Sequence, residues 1–301
     1  MKILLTGRDG QLGFELVRAL APLGEVLAVG RADCDLADAG ALRALVRRLA
    51  PDVIVNPAAY TAVDRAESEP DLAFAVNAGA PGILGEEAAR LGCLVVHYST
   101  DYVFDGAGRA PYTEADTPAP HSVYGSSKLA GERALAQVCA HHLILRTSWV
   151  LGVHGGNFAK TMLRLAAERD VLSVVDDQVG APTSAALLAD LTAHLVRQYA
   201  RADRNAFPYG TYHVAAAGET SWYEYARFVL DAAWAAGRPL RAGPDGVQPV
   251  STAAFPTAAR RPANSRLDTS LFRDTFGLRL PPWQEGVREV LRHILRSKHD
   301  A

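Results

Sequence analysis

Apolar runs alternate with amphipathic stretches through the first half of the chain: KILLT, a helical pattern near Gln11 to Leu23, EVLAV, a second helical pattern near Ala39 to Leu49, then DVIVN. Short runs with no polar alternation are what the strands of a parallel sheet show when helices cover both faces. Pro70 and Gly92 bracket a longer helix predicted from Asp71 to Leu91, since proline suits a first helical turn and glycine the residue after the last. The strand LVVHYS follows. Beyond a polar, proline-bearing stretch from Gly106 to His121, the spacing predicts a helix through HSVYGSSKLAGERAL and a strand at HLILRTS. From about residue 149 the pattern loosens. Helices are predicted at Asn157 to Arg169, Ser184 to Tyr199, Ser221 to Ala236 and Trp283 to Arg296. The segment from Gly237 to Asn264 carries five prolines and reads as long loops with one short strand at most.

Composition narrows the partners. The chain has 301 residues, 49% hydrophobic and 21% charged, and a formal charge of -2. That length supports a substantial core, and that balance gives no electrostatic reason to expect nucleic acid or an anionic membrane. Cys34, Cys93 and Cys139 are too few and too scattered for a zinc site or a disulfide framework, and they read as packing residues in a reducing compartment. MKILLTG reaches glycine after only a few apolar residues, so neither a signal peptide nor a membrane span is expected. The expected location is the cytoplasm.

Gly7, Gly10 and Gly13, in GRDGQLG, form G-x-x-G-x-x-G between the first strand and the first helix. A chain that turns there must bring its backbone close to a pyrophosphate, where a helix N-terminus offers unpaired N–H groups and a positive dipole end. A dinucleotide site is the reading this position favours. At the end of the second strand stand Gly30 and Arg31, where an NAD site would place a carboxylate. No carboxylate there repels a 2′-phosphate and Arg31 can pair with one, so NADPH is expected ahead of NADH.

Hydride transfer to a ketone builds negative charge on oxygen, so the site needs a proton donor and a second hydrogen bond to that oxygen. Tyr124 and Lys128, one helical turn apart, can face one cleft, and an ammonium near a phenol favours the phenolate. Taken alone, Y-x-x-x-K also fits an exposed helical pair. A glycine turn upstream and the hydroxyls of Ser99 and Thr100 at the preceding strand end favour the chemical reading; neighbours on a strand point to opposite faces, so only one hydroxyl can take part.

These three features together resemble the extended short-chain dehydrogenase/reductase superfamily. PDVIVNPAAYTAVDRAESEP, VVHYSTDYVFDG, VYGSSKLAGE, RTSWV, NFAKTML, QVGAPTS and ARRPANSRLD, in unbroken order, resemble its dTDP-4-dehydrorhamnose reductase family. The resemblance implies an α/β fold: a Rossmann-type doubly wound parallel sheet with a smaller α/β substrate-binding domain formed mainly by the C-terminal half. The expected division is 1–148 for NAD(P) and 149–301 mainly for the dTDP-sugar, with some later segments returning to the first. It implies NAD(P)H-dependent reduction of the C4 ketone of dTDP-4-dehydro-6-deoxy-L-mannose, with Thr100 polarising the carbonyl, Tyr124 as proton donor, and Lys128 tuning Tyr124 and holding the nicotinamide ribose.

Carried over residue by residue, Gly10, Gln11, Leu12, Asp35, Leu36, Ala59, Tyr60, Thr61, Tyr98, Tyr124 and Lys128 contact the cofactor. Thr100, Asp101 and Tyr102 lie against the sugar, Trp149 covers it, and Asn77 braces the third strand. Asn157, Gln178, Arg260, Arg261, Asn264 and Ser265 fall in segments that would close over the nucleotide. Pro57 departs from the alanine usual in the family. Some members pair through magnesium held by glutamates; Glu15 is kept, but Ala186 and His293 stand at the other positions, so no structural metal is expected. A homodimer stays open. Two rival readings remain: an NDP-sugar epimerase or dehydratase on the same scaffold, and a non-catalytic NADP-binding subunit resembling the regulatory subunit of methionine adenosyltransferase.

Overall fold

The computed structural model describes residues 1–296. Its main sheet contains β1 (Lys2–Leu5), β2 (Glu25–Ala28), β3 (Val53–Asn56), β4 (Leu94–Thr100), β5 (His142–Thr147) and the strand Gly210–His213. All pair in parallel, in the order β2, β1, β3, β4, β5, Gly210–His213. The order reverses between β1 and β3, and in such sheets a crevice opens there beyond the carboxyl ends of the strands.

The unbroken apolar runs follow from burial on both faces. Ile3 and Leu5 of β1 pack with Leu12, Leu16 and Leu20 of the helix Gln11–Leu20 and with Leu188 and Leu195 of Ala185–Arg201. Leu4, between them, faces Leu42 and Val46 of Ala39–Leu49 and Leu84 of Ala80–Leu91. Each such side chain contributes about 1.5–3 kcal/mol by leaving water. The α/β, doubly wound class expected from the sequence is the one observed.

A separate core joins Met162 and Leu163 of Phe158–Glu168, Tyr225 and Val229 of Trp222–Ala235, and Val287 and Leu291 of Trp283–Arg296. The short parallel pair Leu172–Val175 and Val247–Val250 lies beside it. Later segments also return to the main sheet, because Ala185–Arg201, Gly210–His213 and Ser270–Phe276 all feed the first core.

Several elements depart from the periodicity. The first helix stops at Leu20, and Ala21–Leu23 continues as a tighter turn at Pro22. The expected helix from Asp71 starts at Pro70 and widens at Ala75–Gly79 into a turn of five-residue spacing. GTYH, too short and too polar to register as a core strand, is the edge of the sheet. Among the described residues no helix is long and apolar enough to cross a membrane.

Candidate active site

The three glycines after β1 do different work. Gly7 has φ +62°, and a Cβ there would stand 2.9 Å from Ala58 Cα. A Cβ on Gly13 would stand 1.9 Å from Gly7 O, so the helix can start this close to the turn only without a side chain at that position. Gly10 has φ -82°, which any residue adopts, and a Cβ there would meet only Gly7 O, at 3.3 Å. The protein itself constrains position 10 far less than positions 7 and 13. That position opens into a cavity of about 300 Å³ and precedes the free N–H groups of the first helical turn, which suits close approach of a phosphate.

Of the expected cofactor residues, Gly7, Gly10, Arg31, Asp35, Leu36, Ala59, Tyr60 and Thr61 line that one cavity. Arg31 is ion-paired with Asp35 at 3.3 Å. Arg8, which the glycine pattern did not single out although it lies inside it, donates to Ala28 O at 3.0 Å and pairs with Asp33 at 3.1 Å. The Asp9 carboxylate lies 2.1 Å from where a Gly30 Cβ would be, so it occupies the space beside Gly30 after β2.

Leu12, Gln11 and Tyr98 are among the expected residues that do not line that cavity. Leu12 is in the core beneath the sheet. Gln11 straps the turn to the C-terminal half: its Oε1 accepts from Gly152 N at 2.8 Å and from Asn157 Nδ2 at 3.0 Å. Tyr98 turns its ring to the opposite face, where its hydroxyl meets Thr192 Oγ1 at 2.5 Å. Only its carbonyl faces Lys128.

The loop after β3 is braced as expected. Asn77 Oδ1 accepts from Tyr60 N at 2.8 Å, while Nδ2 donates to Tyr60 O and to Ser127 Oγ, each at 3.0 Å. The widened helical turn at Ala75–Gly79 places that amide, and such turns often mark functional positions. Ser127 in turn donates to Tyr124 O at 2.8 Å, so a serine inside YGSSK links the loop after β3 to the helix that carries Tyr124 and Lys128.

Tyr124 lies in the first turn of the helix Val123–Val138, whose N-cap Ser122 accepts from Gly125 N at 3.1 Å. A Cβ on Gly125 would be 2.2 Å from Tyr102 O, so glycine seats this turn against the segment after β4. Thr100, the last residue of β4, donates to Asp101 Oδ1 at 3.0 Å. Burial pushes the Tyr124 phenol up to about 12; the Thr100 hydroxyl, hydrogen-bonded to it, pulls it down, and Asp101 adds to the rise. Burial likewise lifts Asp101 to about 6, against hydrogen bonds from Ser265 and Thr100 that lower it.

Lys128 departs from expectation. Its Nζ donates to Tyr98 O at 2.6 Å and meets His97 Nε2 at 3.3 Å, and burial lowers it to about 8. The groups that act most on the Tyr124 phenol here are burial, Thr100 and Asp101. A buried amino group needs partners, and Tyr98 O and the His97 ring on strand β4 supply them.

The chain matches the RmlD substrate binding domain family over residues 1–296. It is 51% identical over 301 residues to the dTDP-4-dehydrorhamnose reductase of Escherichia coli K12, a match covering 99% of each chain. The chain belongs to the dTDP-4-dehydrorhamnose reductase family. The crystal structure of a dTDP-4-dehydrorhamnose reductase from Clostridium acetobutylicum superposes with a TM-score of 0.89 at 36% identity, covering 97% of this chain and 99% of that one. The reductase of that name from Bacillus anthracis, crystallised with NADP, gives 0.87 at 36% identity and covers 97% and 98%.

In this member of the family, the residues expected at the sugar lie on several segments. Tyr102 packs edge-on against Tyr124, with ring centroids 5.5 Å apart; burial raises its phenol, and Arg261 draws it back. Arg261 is ion-paired with Asp64 at 2.6 Å. Trp149 has φ +47° and stacks on Trp222 at 3.6 Å between centroids. A non-glycine residue held in that conformation stores strain, which persists where the surroundings enforce it. Trp222, unread in the sequence, follows the N-cap Ser221.

Asn157 caps Phe158–Glu168, accepting from Lys160 N at 3.1 Å, and donates to Gly152 O at 2.8 Å, so its amide is committed to the strap around Gln11. Gln178 donates to Thr252 Oγ1 at 3.0 Å and Asn264 to Ala110 O at 2.8 Å, while Arg260 is exposed. Glu15 lies beside Arg18 and His293 beside Glu289. Among the described residues no three His, Cys, Asp or Glu side chains are grouped to hold a metal ion.

Proposed function

We propose that the chain reduces the C4 ketone of dTDP-4-dehydro-6-deoxy-L-mannose to give dTDP-L-rhamnose, using NAD(P)H. The observation that carries this reading is the placement of Thr100 and Tyr124 together on the carboxyl edge of the sheet that also carries the glycine turn. Reductases matched end to end give it a substrate. Gly7, Gly10, the first turn after them, and Asp35, Leu36, Ala59, Tyr60 and Thr61 along the cavity would hold the dinucleotide, which supplies the hydride when bound. Arg31, with Arg8 near it, favours NADPH over NADH.

Tyr124 keeps its proton throughout the neutral range and gives it up only to a stronger base. An alkoxide forming on C4 is such a base, so the transfer runs downhill as charge builds on the oxygen. Thr100 exchanges its bond to Asp101 for one to the same oxygen. Lys128, one helical turn from Tyr124, offsets the phenolate left behind. We assign residues 149–301 mainly to the dTDP-sugar, with Asp101, Tyr102, Trp149, Asn157 and Arg261 around it, and we place the reaction in the cytoplasm.

The test is nicotinamide absorbance with the ketosugar supplied and NADPH and NADH tried in turn. Stoichiometric loss of reduced cofactor is expected, faster with NADPH. Sugar conversion without net consumption would mark an epimerase or dehydratase instead. Binding without consumption, unaffected by Tyr124→Phe, would mark a regulatory subunit.

A further inference from the structure

A line of four buried side chains crosses the sheet beneath the site. Thr6 Oγ1 donates to Asn56 Oδ1 at 2.6 Å, Asn56 Nδ2 lies 3.1 Å from His97 Nδ1, and His97 Nε2 lies 3.3 Å from Lys128 Nζ. Asn56 and His97 are register partners on β3 and β4, which fixes the middle contact. Thr6 borders the cofactor cavity, so the line runs from that cavity to Lys128.

A neutral imidazole has one N–H and one lone pair, so what it offers on one side dictates what it offers on the other. His97 is fully buried beside a cation, and both conditions hold it neutral by lowering its pKa well below the ordinary value. An ammonium on Lys128 has no lone pair. It requires Nε2 as acceptor, which puts the ring proton on Nδ1, the Asn56 oxygen toward the ring and the Asn56 amino group toward Thr6. A neutral amine on Lys128 accepts from Nε2–H instead. Nδ1 then accepts from Asn56 Nδ2 and Asn56 Oδ1 from Thr6, which is the amide orientation in this structure. Either set closes every bond; a mixture leaves donor facing donor in a site without water.

We propose that His97 is a positioning residue of the reductase site: held by Asn56, its ring fixes Lys128 Nζ beside Tyr98 O and changes tautomer as Lys128 gains or loses its proton. The inference rests on the function proposed above for Tyr124 and Lys128. Other ionisable groups near Lys128 are placed differently. Tyr124 and Glu132 lie one turn away on its own helix, where the Glu132 charge raises Lys128 against its burial, and Asp101 acts on Tyr124. Glu132 is paired with Arg146 of β5 at 2.6 Å, and His213, beside Arg146, is held near 4 by burial and by that arginine.

The test is a pH titration of the protein labelled with ¹⁵N-histidine, reading which ring nitrogen of His97 carries hydrogen; His97→Gln identifies the signal. The expected result is a neutral ring that passes from Nδ1–H to Nε2–H around the Lys128 titration near pH 8. In Lys128→Met the changeover disappears. In His97→Gln the alkaline limb of kcat/KM moves by about half a pH unit or more, a difference a purely structural role would not produce. One fixed tautomer at all pH values, or a changeover that survives Lys128→Met, overturns the proposal. The titration needs no turnover, so a changeover in a protein that fails to reduce the ketosugar would leave this inference standing and remove only the proposed reaction.

Discussion

Adding one methyl group at Gly10 and at Gly13 should have opposite consequences. At Gly13 the new Cβ would lie 1.9 Å from Gly7 O and 2.7 Å from Gly7 C, backbone atoms that move only if the turn moves. Overpacking of that kind costs about 1–3 kcal/mol or more, so Gly13→Ala should lower Tm by several degrees. At Gly10 the nearest atom is 3.3 Å away and the backbone is already in a region alanine prefers. Gly10→Ala should therefore fold with little change in Tm, a gain of up to about 1 kcal/mol through the unfolded chain offsetting the tight contact with Gly7 O. Its cost should fall on the ligand: a methyl between backbone and pyrophosphate should weaken NADPH binding about tenfold or more, equivalent to about 1.4 kcal/mol. Thermal unfolding and fluorescence titration with NADPH measure the two quantities separately. A Gly10→Ala protein that binds NADPH as tightly as the parent would refute the assignment of this turn to the cofactor.

Tyr124→Phe should leave Tm nearly unchanged and lower kcat by about 10²–10⁴, or about 3–5 kcal/mol of barrier, in steady-state assays with the ketosugar. Asp101→Asn should stabilise the protein at neutral pH. The folded carboxyl, near 6, lies above its ordinary 3.8, so its contribution to stability is full below about pH 4 and is lost as pH rises to about 6, a difference of about 3 kcal/mol. Denaturant unfolding across that range should show the parent's stability falling relative to Asp101→Asn. Gln11→Ala removes the acceptor of Gly152 N and Asn157 Nδ2 and should cost about 1–3 kcal/mol of stability in the same assay.

The main sheet was legible because its residues face only two environments. KILLT, DVIVN and HLILRTS are buried on both faces and carry no alternation to misread. Thr100, Tyr124 and Lys128, the trio proposed for catalysis, stood out through residue types at fixed spacing on a strand end and a helix turn. What escaped the pattern depends on direction. Tyr98 and His97 are adjacent on β4, and nothing in HYS tells which side chain faces Lys128. Lys128 was read toward Tyr124, and its hydrogen bond to Tyr98 O on β4 was not foreseen. Arg8 and Asp9 crowd the end of β2 from twenty residues away, a contact that depends on the closed turn. GTYH joined the sheet although its composition suggests a loop, because an edge strand needs only one neighbour and β5 supplies it.

The claim that matters most is that hydride is delivered to C4 of the sugar. NADPH carrying deuterium at the transferred position, incubated with the protein and dTDP-4-dehydro-6-deoxy-L-mannose, should yield dTDP-L-rhamnose with one deuterium on C4, read by mass spectrometry and NMR. The reaction repeated with unlabelled NADPH in deuterated water should leave C4 unlabelled. Product without cofactor deuterium, or label at C4 drawn from the solvent, would contradict the account.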